Sequence, residues 1–202
     1  MNEESNNEIL DEDADLVAGC KAELPADTTS YYELLSKYEG MIYSTCLRML
    51  GDSQEAEEAC QDAFLRVFHK VHQFEGRSTF KTWLFRIACN ICMTRRKKLA
   101  MKRERDQLVG ADIVQSSEPQ PPAAKRGEEA QAETVNHTLQ KLSEEEREII
   151  SLRFVSDLSL AEMSDVLGIK LSATKMRLYR AMERFKSVYA EGDIAKLQQG
   201  GH

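Results

Sequence analysis

Little in this sequence breaks a chain into short segments. Among 202 residues there are 4 prolines and 10 glycines, and only 7% of the residues are aromatic. Turn-dense sheet architectures need more of all three, so an all-α fold is expected. No apolar run approaches the roughly 20 residues that span a bilayer. The opening MNEESNNEILDEDAD is acidic where a secretory leader is basic. A cytoplasmic protein without direct membrane insertion follows as the expectation. The 5 cysteines, an odd number, lack the regular framework of a secreted disulfide scaffold and agree with a reducing compartment. No glycine-rich phosphate loop follows a strand and no nucleophile motif stands in a plausible setting. No cofactor is expected, and the chain does not read as an enzyme.

The net charge is −7, which taken alone argues against nucleic acid. Its distribution reverses that inference. Residues 1–15 carry seven acids and no base, so the rest of the chain sums to about zero. Two segments within it are strongly basic: RRKKLAMKRER (Arg95 to Arg105) and LGIKLSATKMRLYRAMERFK (Leu167 to Lys186), the latter with six bases and one acid. The acidic tail is expected to oppose nonspecific DNA binding.

VGADIVQSSEPQPPAAKRGEEAQAE, residues 109–133, has no apolar periodicity and holds three of the four prolines. It reads as a flexible linker between two small helical domains. The expected divisions are an acidic tail over 1–15, a four-helix domain over 16–106, a linker over 107–133, a helix-turn-helix domain over 134–190 and a disordered tail over 191–202. In the first domain the spacing predicts helices from about Ile9 to Lys21, Tyr31 to Leu50 and Gln54 to Val71, the third capped by Asp52 or Ser53. A fourth helix follows a cap at Ser78 or Thr79 and runs into the basic cluster. Phe80, Trp83, Leu84, Ile87 and Ile91 make its core stripe. Thr82, Phe85, Arg86 and Cys89 fall elsewhere, so Phe85 is either an exposed stacking platform beside Arg86 or packs on a neighbouring helix.

In the second domain, Ser143 with Glu146 has capping-box spacing, and LSLAEMSDVLG gives a short helix capped by Ser159 and closed by Gly168. On the following helix Leu171, Thr174, Leu178, Met182 and Phe185 share one side. Ser172, Ala173, Met176, Arg177 and Arg180 share the other. A short helix, a tight glycine turn and a helix with an apolar inner and a basic outer face make a helix-turn-helix, with the outward arginines toward base edges and Lys175 toward a phosphate.

The order of DADLVAGC, AEEACQDAFLRVF, FKTWLFRIACNICMTRRKK and LSLAEMSDVLGIKLSATKMRLYRAMERF resembles the extracytoplasmic-function (ECF) group of sigma-70 family RNA polymerase sigma factors. The resemblance covers nearly everything from Asp15 to about Tyr189 except the linker. It implies a subunit that binds the beta-prime and beta subunits of the polymerase core and directs it to promoter DNA. The first domain would melt and read the minus-10 element, and the second would read the minus-35 element. Glu58, Gln61, Asp62, Phe64 and Leu65 fall where the family docks on the beta-prime coiled coil, although Leu65 could equally be one ordinarily exposed leucine. Asn90 falls where the family helps hold a flipped minus-10 base, unless it merely caps or bridges helices.

By the same resemblance, Phe74, Arg77, Ser78 and Thr79 of the loop QFEGRST, with Phe85, Arg86, Arg95, Arg96 and Lys97, complete the minus-10 set. Ser172, Ala173, Lys175, Met176, Arg177, Tyr179 and Arg180 form the minus-35 set. Ser172-Ala173-Thr174 stands where the family has Gly-Thr-Val, and Met176 where a serine is common, which favours an apolar contact such as a thymine methyl. The family also implies restraint by an anti-sigma factor, often membrane-anchored. A polymerase-independent helix-turn-helix regulator is the alternative, but it has no use for the QDAF surface. Cys89 with Cys92 and His69 with His72 are i, i+3 pairs that could offer ligands, though mid-helix thiols lack the helix-end activation of redox pairs.

Overall fold

The computed structural model describes residues 11–108 and 134–199. Helix α1 spans Ala14–Glu23, α2 Thr29–Leu50, α3 Ser53–Lys70 and α4 Phe80–Leu108, with a 3₁₀ turn Val71–Gln73 after α3. A helical run over 134–140, α5, precedes α6 (Glu144–Phe154), α7 (Leu160–Leu167) and α8 (Leu171–Gln199). No strand occurs among the described residues, in agreement with the all-α expectation.

Local chemistry sets the boundaries. α2 ends because Gly51 takes φ 73°, where its N–H bonds to the Leu47 carbonyl, a conformation costly for any residue with a Cβ. Asp52 then caps α3 by accepting from the Glu55 N–H at 2.9 Å. Thr79 caps α4 through the Thr82 N–H at 3.2 Å. Ser143 and Ser159 each form the full reciprocal capping box with the glutamate three residues on. Gly168, at φ 65°, closes α7 and turns the chain into α8.

Ala56, Ala59 and Ala63 on α3 are fully buried. Their small side chains let the helix lie close against α2 and α4, with which it packs most extensively. The second unit seats α6 on α8 and α2, and α7 on α4. One contiguous apolar core therefore runs from Val17 to Val188 through both units. Where they meet, Thr45 and Ser156, both fully buried, share a hydrogen bond of 3.0 Å.

Three expectations change. α5 was not expected as a helix of its own, because TVNHTLQ carries a weak apolar pattern. Its Leu139 is nonetheless buried and its Asn136 accepts from Arg48 of α2 at 3.1 Å. α8 continues to Gln199, into the tail 191–202 that was expected to be disordered. The acidic tail expected over 1–15 is cut short: Asp13 is fully buried and α1 starts at Ala14. Residues 1–10 and the linker stretch 109–133 lie outside the described residues.

Candidate nucleic-acid interface

The outer face of α8 starts at a helix N-terminus behind the Gly168 turn. Ser172, Ala173, Lys175 and Arg180 are exposed, and Met176 and Tyr179 stand 51% and 63% exposed. Inward, Thr174, Ala181 and Val188 are buried. Two positions depart from the expected faces: Arg177, and Leu171, which was placed with the core and is 53% exposed.

Arg177 does not belong to the outer face. Its guanidinium donates to the Glu148 carboxylate at 2.8 Å and to the Glu145 carbonyl at 3.0 Å. Glu148 is 3% exposed, and its burial raises its carboxyl above the ordinary range, with Arg177 acting in the opposite sense. A buried charge of this kind demands a partner. The signal was present in the sequence: Arg177 has Thr174 three residues before it and Ala181 four after, both buried, so it sits at the edge of the inner stripe.

On α4 the basic residues are largely engaged. Arg95 reaches Glu55 at 3.0 Å, Glu58 at 2.8 Å and Asp62 at 2.6 Å, all on α3. Bonds from Arg95 in turn hold the Glu58 carboxyl below its usual value. Arg96 pairs with Glu144 at the start of α6 at 2.7 Å. Arg86 donates to the Asp165 carbonyl of α7 at 2.6 Å. Lys97 and Asn90 remain exposed.

Phe85, read as a possible stacking platform, is fully buried. On its face of α4, Thr82 reaches Glu162 and Arg86 reaches Asp165 of α7, so the second unit covers it. α4 is thus buried on two sides, which a single core stripe could not reveal. Phe74, assigned to the minus-10 pocket, is also interior: it is 7% exposed and packs against Trp83 and Phe80 at 5.3 and 6.0 Å. The rest of the loop stays near the surface, with Arg77 exposed and paired to Glu75 and with Ser78 and Thr79 half-buried.

On α3, Glu58, Gln61 and Leu65 are exposed, Leu65 by 56%. Asp62 is half-buried under Arg95. Phe64, assigned to the docking surface, is 7% exposed and its carbonyl accepts from the Tyr31 hydroxyl at 3.0 Å. It belongs to the core because it lies four residues after Cys60 and three before Val67, both buried, on one face of α3. A groove lined by Glu55, Asp62, Arg66, Ile91, Arg95 and Lys98 separates α3 from the basic end of α4.

Cys89 and Cys92 are buried, as are Cys20, Cys46 and Cys60. Burial holds the Cys89 thiol well above its ordinary value, the reverse of a reactive thiolate. His69 and His72 are exposed, and among the described residues no His, Cys, Asp or Glu cluster has the arrangement of a metal site.

Residues 34–102 match the family model Sigma-70 region 2, and residues 132–185 match Sigma-70, region 4. The RNA polymerase sigma-H factor of Pseudomonas aeruginosa is 30% identical over 167 residues, spanning 78% of this chain and 84% of that protein. The chain belongs to the ECF group of the sigma-70 family. The ECF RNA polymerase sigma factor SigW of Bacillus subtilis is 28% identical over 171 residues, 79% of this sigma factor and 89% of its relative. In fold, it resembles CnrH in complex with the cytosolic domain of CnrY, with TM-score 0.66, 21% identity and coverage of 90% of this chain and 99% of that one. RpoE of Bartonella quintana, solved with the anti-sigma factor NepR, gives TM-score 0.60 at 22% identity over 78% of this chain and 95% of that one. The helix-turn-helix of α7 and α8 thus lies within the matched region 4, and the α2–α4 bundle makes up the matched region 2.

Proposed function

We propose that this sigma factor is a cytoplasmic, non-enzymatic subunit in which α8 reads a minus-35 element while α4 and the 74–79 loop open and read a minus-10 element. The observation that carries this reading is the exposed outer face of α8, where Lys175, Met176, Tyr179 and Arg180 stand at a helix-turn-helix. Its small Ser172 and Ala173 at the first turn leave room for a phosphate to approach. In the first unit, Arg77, Ser78, Thr79 and Asn90 are the groups accessible for base reading, and Lys97 for phosphate. Glu58, Gln61 and Leu65 form the surface offered to the polymerase.

Elements about 25 base pairs apart are separated by on the order of 80 Å along B-DNA. The hydrogen bonds that link α2 to the turn after α6 and α4 to α7 hold the two units in contact, so the units must part for both elements to be read at once. Arg86, Arg96 and Phe85 would then be released onto the DNA-facing side of α4. A stretch such as 109–133 can reach on the order of 80 Å when extended. Docking of both units on one polymerase supplies the effective concentration that each small surface lacks alone. Masking by an anti-sigma factor, the kind of partner bound to RpoE in the similar complex, would stabilise the closed arrangement.

The test is a footprint on genomic promoter fragments with bacterial core polymerase. Protection spanning both elements only when core and sigma factor are combined is the expected result. Equal sequence-specific protection by the chain alone would overturn it in favour of a polymerase-independent regulator.

A further inference from the structure

Both ends of the 74–79 loop are held by side chains from the start of the chain. At one end the Lys21 amino group of α1 donates to the Phe74 carbonyl at 2.6 Å and lies 5.5 Å from the centre of the Phe74 ring. At the other, the Phe80 N–H donates to the Asp11 carboxylate at 2.7 Å. That N–H is the first of α4, so Asp11 places a negative charge where the helix dipole favours one. Neither contact is local: the partners are 53 and 69 residues apart in sequence.

The clamp is itself fixed. The Asp11 carboxylate also accepts from the Asp13 N–H at 3.2 Å. Asp13, fully buried, takes the Lys37 amino group at 2.6 Å and the Tyr38 hydroxyl on its two oxygens. Burial, and then the bond to Asp13, raises the Tyr38 phenol, so it remains a donor. Tyr38 in turn packs 6.0 Å from the Phe80 ring. Asp11 and α1 therefore stand on the rigid α2 scaffold, and between the two clamped ends lie only Glu75 to Thr79 with Gly76 at φ 71°.

We propose that Asp11 and Lys21 are positioning residues for minus-10 base reading: they pin the two ends of the loop that carries Arg77, Ser78 and Thr79, so that it meets an unstacked base already ordered. This rests on the reading that the loop contacts the minus-10 base. Ordering a loop before binding removes an entropic cost from recognition. A loop left free would still allow binding but would discriminate poorly between bases.

The experiment uses the full chain with bacterial core polymerase and a promoter fragment selected by the wild-type holoenzyme, its minus-10 region pre-opened and each base there varied in turn. A single wrong base is expected to cost wild type roughly 5- to 150-fold. Asp11→Ala and Lys21→Met should bring that ratio toward one while core binding and minus-35 protection stay unchanged. Asp11→Asn, which keeps an acceptor for the Phe80 N–H, and Lys21→Arg should restore it. The chain's single tryptophan, Trp83, packs on Phe74, so its emission should shift in Lys21→Met and return in Lys21→Arg. Undiminished discrimination in Asp11→Ala and Lys21→Met overturns the inference, provided Arg77→Ala/Ser78→Ala reduces it. If the loop variant also leaves discrimination intact, the loop reading itself is wrong. Should Asp11→Ala fail to bind core, Lys21→Met alone decides.

Discussion

α4 and α8 are each 29 residues long, and each is rich in arginine and lysine. In the structure they do different things. On α4, Arg95 is surrounded by three carboxylates of α3, and Arg86 and Arg96 bind α7 and α6. On α8, Lys175 and Arg180 project into solvent and, among the described residues, only Arg177 turns inward. A count of basic residues, nine on α4 and six on α8, marks both helices as basic, whereas what surrounds each guanidinium separates structural cations from those left for a partner.

The sharpest test of that difference is Arg177. Because Glu148 is buried beneath it, Arg177→Met should lower the folding stability by about 3 kcal/mol, read by urea denaturation. Arg177→Met/Glu148→Met should recover most of the loss. A small effect of the single variant would place Arg177 with the DNA-facing residues after all.

Arg180→Ala should do the opposite, weakening minus-35 binding by about 1–3 kcal/mol with folding stability unchanged to about 0.5 kcal/mol. Arg95→Ala should cost about 1 kcal/mol of stability, since its pairs are partly exposed. The salt dependence of DNA binding should be unaltered, whereas Lys175→Ala should reduce that slope by about 0.9. An equal change of slope in Arg95→Ala would return Arg95 to the DNA surface.

The smallest effect concerns pH. Folding raises the Glu148 carboxyl, so the folded state holds that proton more tightly than the unfolded chain. Its stabilising contribution is full below the ordinary carboxylate value and is lost as pH rises through the raised one. Arg177, Arg96 and Glu145 surround the group and oppose or add to the shift. Stability of Glu148→Gln, compared with wild type from pH 4 to 7 by thermal melting, should lack this component.

What could be read from sequence was mostly local. Asp52, Ser143, Ser159 and Gly168 mark helix ends through bonds that span three or four residues, and each stands as expected. What escaped depended on a second layer. A helical wheel gives the angle of Phe85 but not that α7 covers it, and the clamp from Asp11 to Phe80 joins residues 69 positions apart. Family position alone puts Phe74 and Phe64 at functional surfaces, whereas their neighbours put both in the core. The aromatic spacing of Phe74, Phe80 and Trp83 already hinted at the cluster they form.

Run-off transcription with bacterial core polymerase on pooled genomic promoter fragments tests the central claim most directly, comparing wild type with Gln61→Ala and with Lys175→Ala/Arg180→Ala. The account predicts discrete transcripts from wild type, their loss in Gln61→Ala through failed core binding, and their loss in the second variant with core binding intact. Undiminished transcription from Lys175→Ala/Arg180→Ala would contradict the assignment of α8 as the promoter-reading surface.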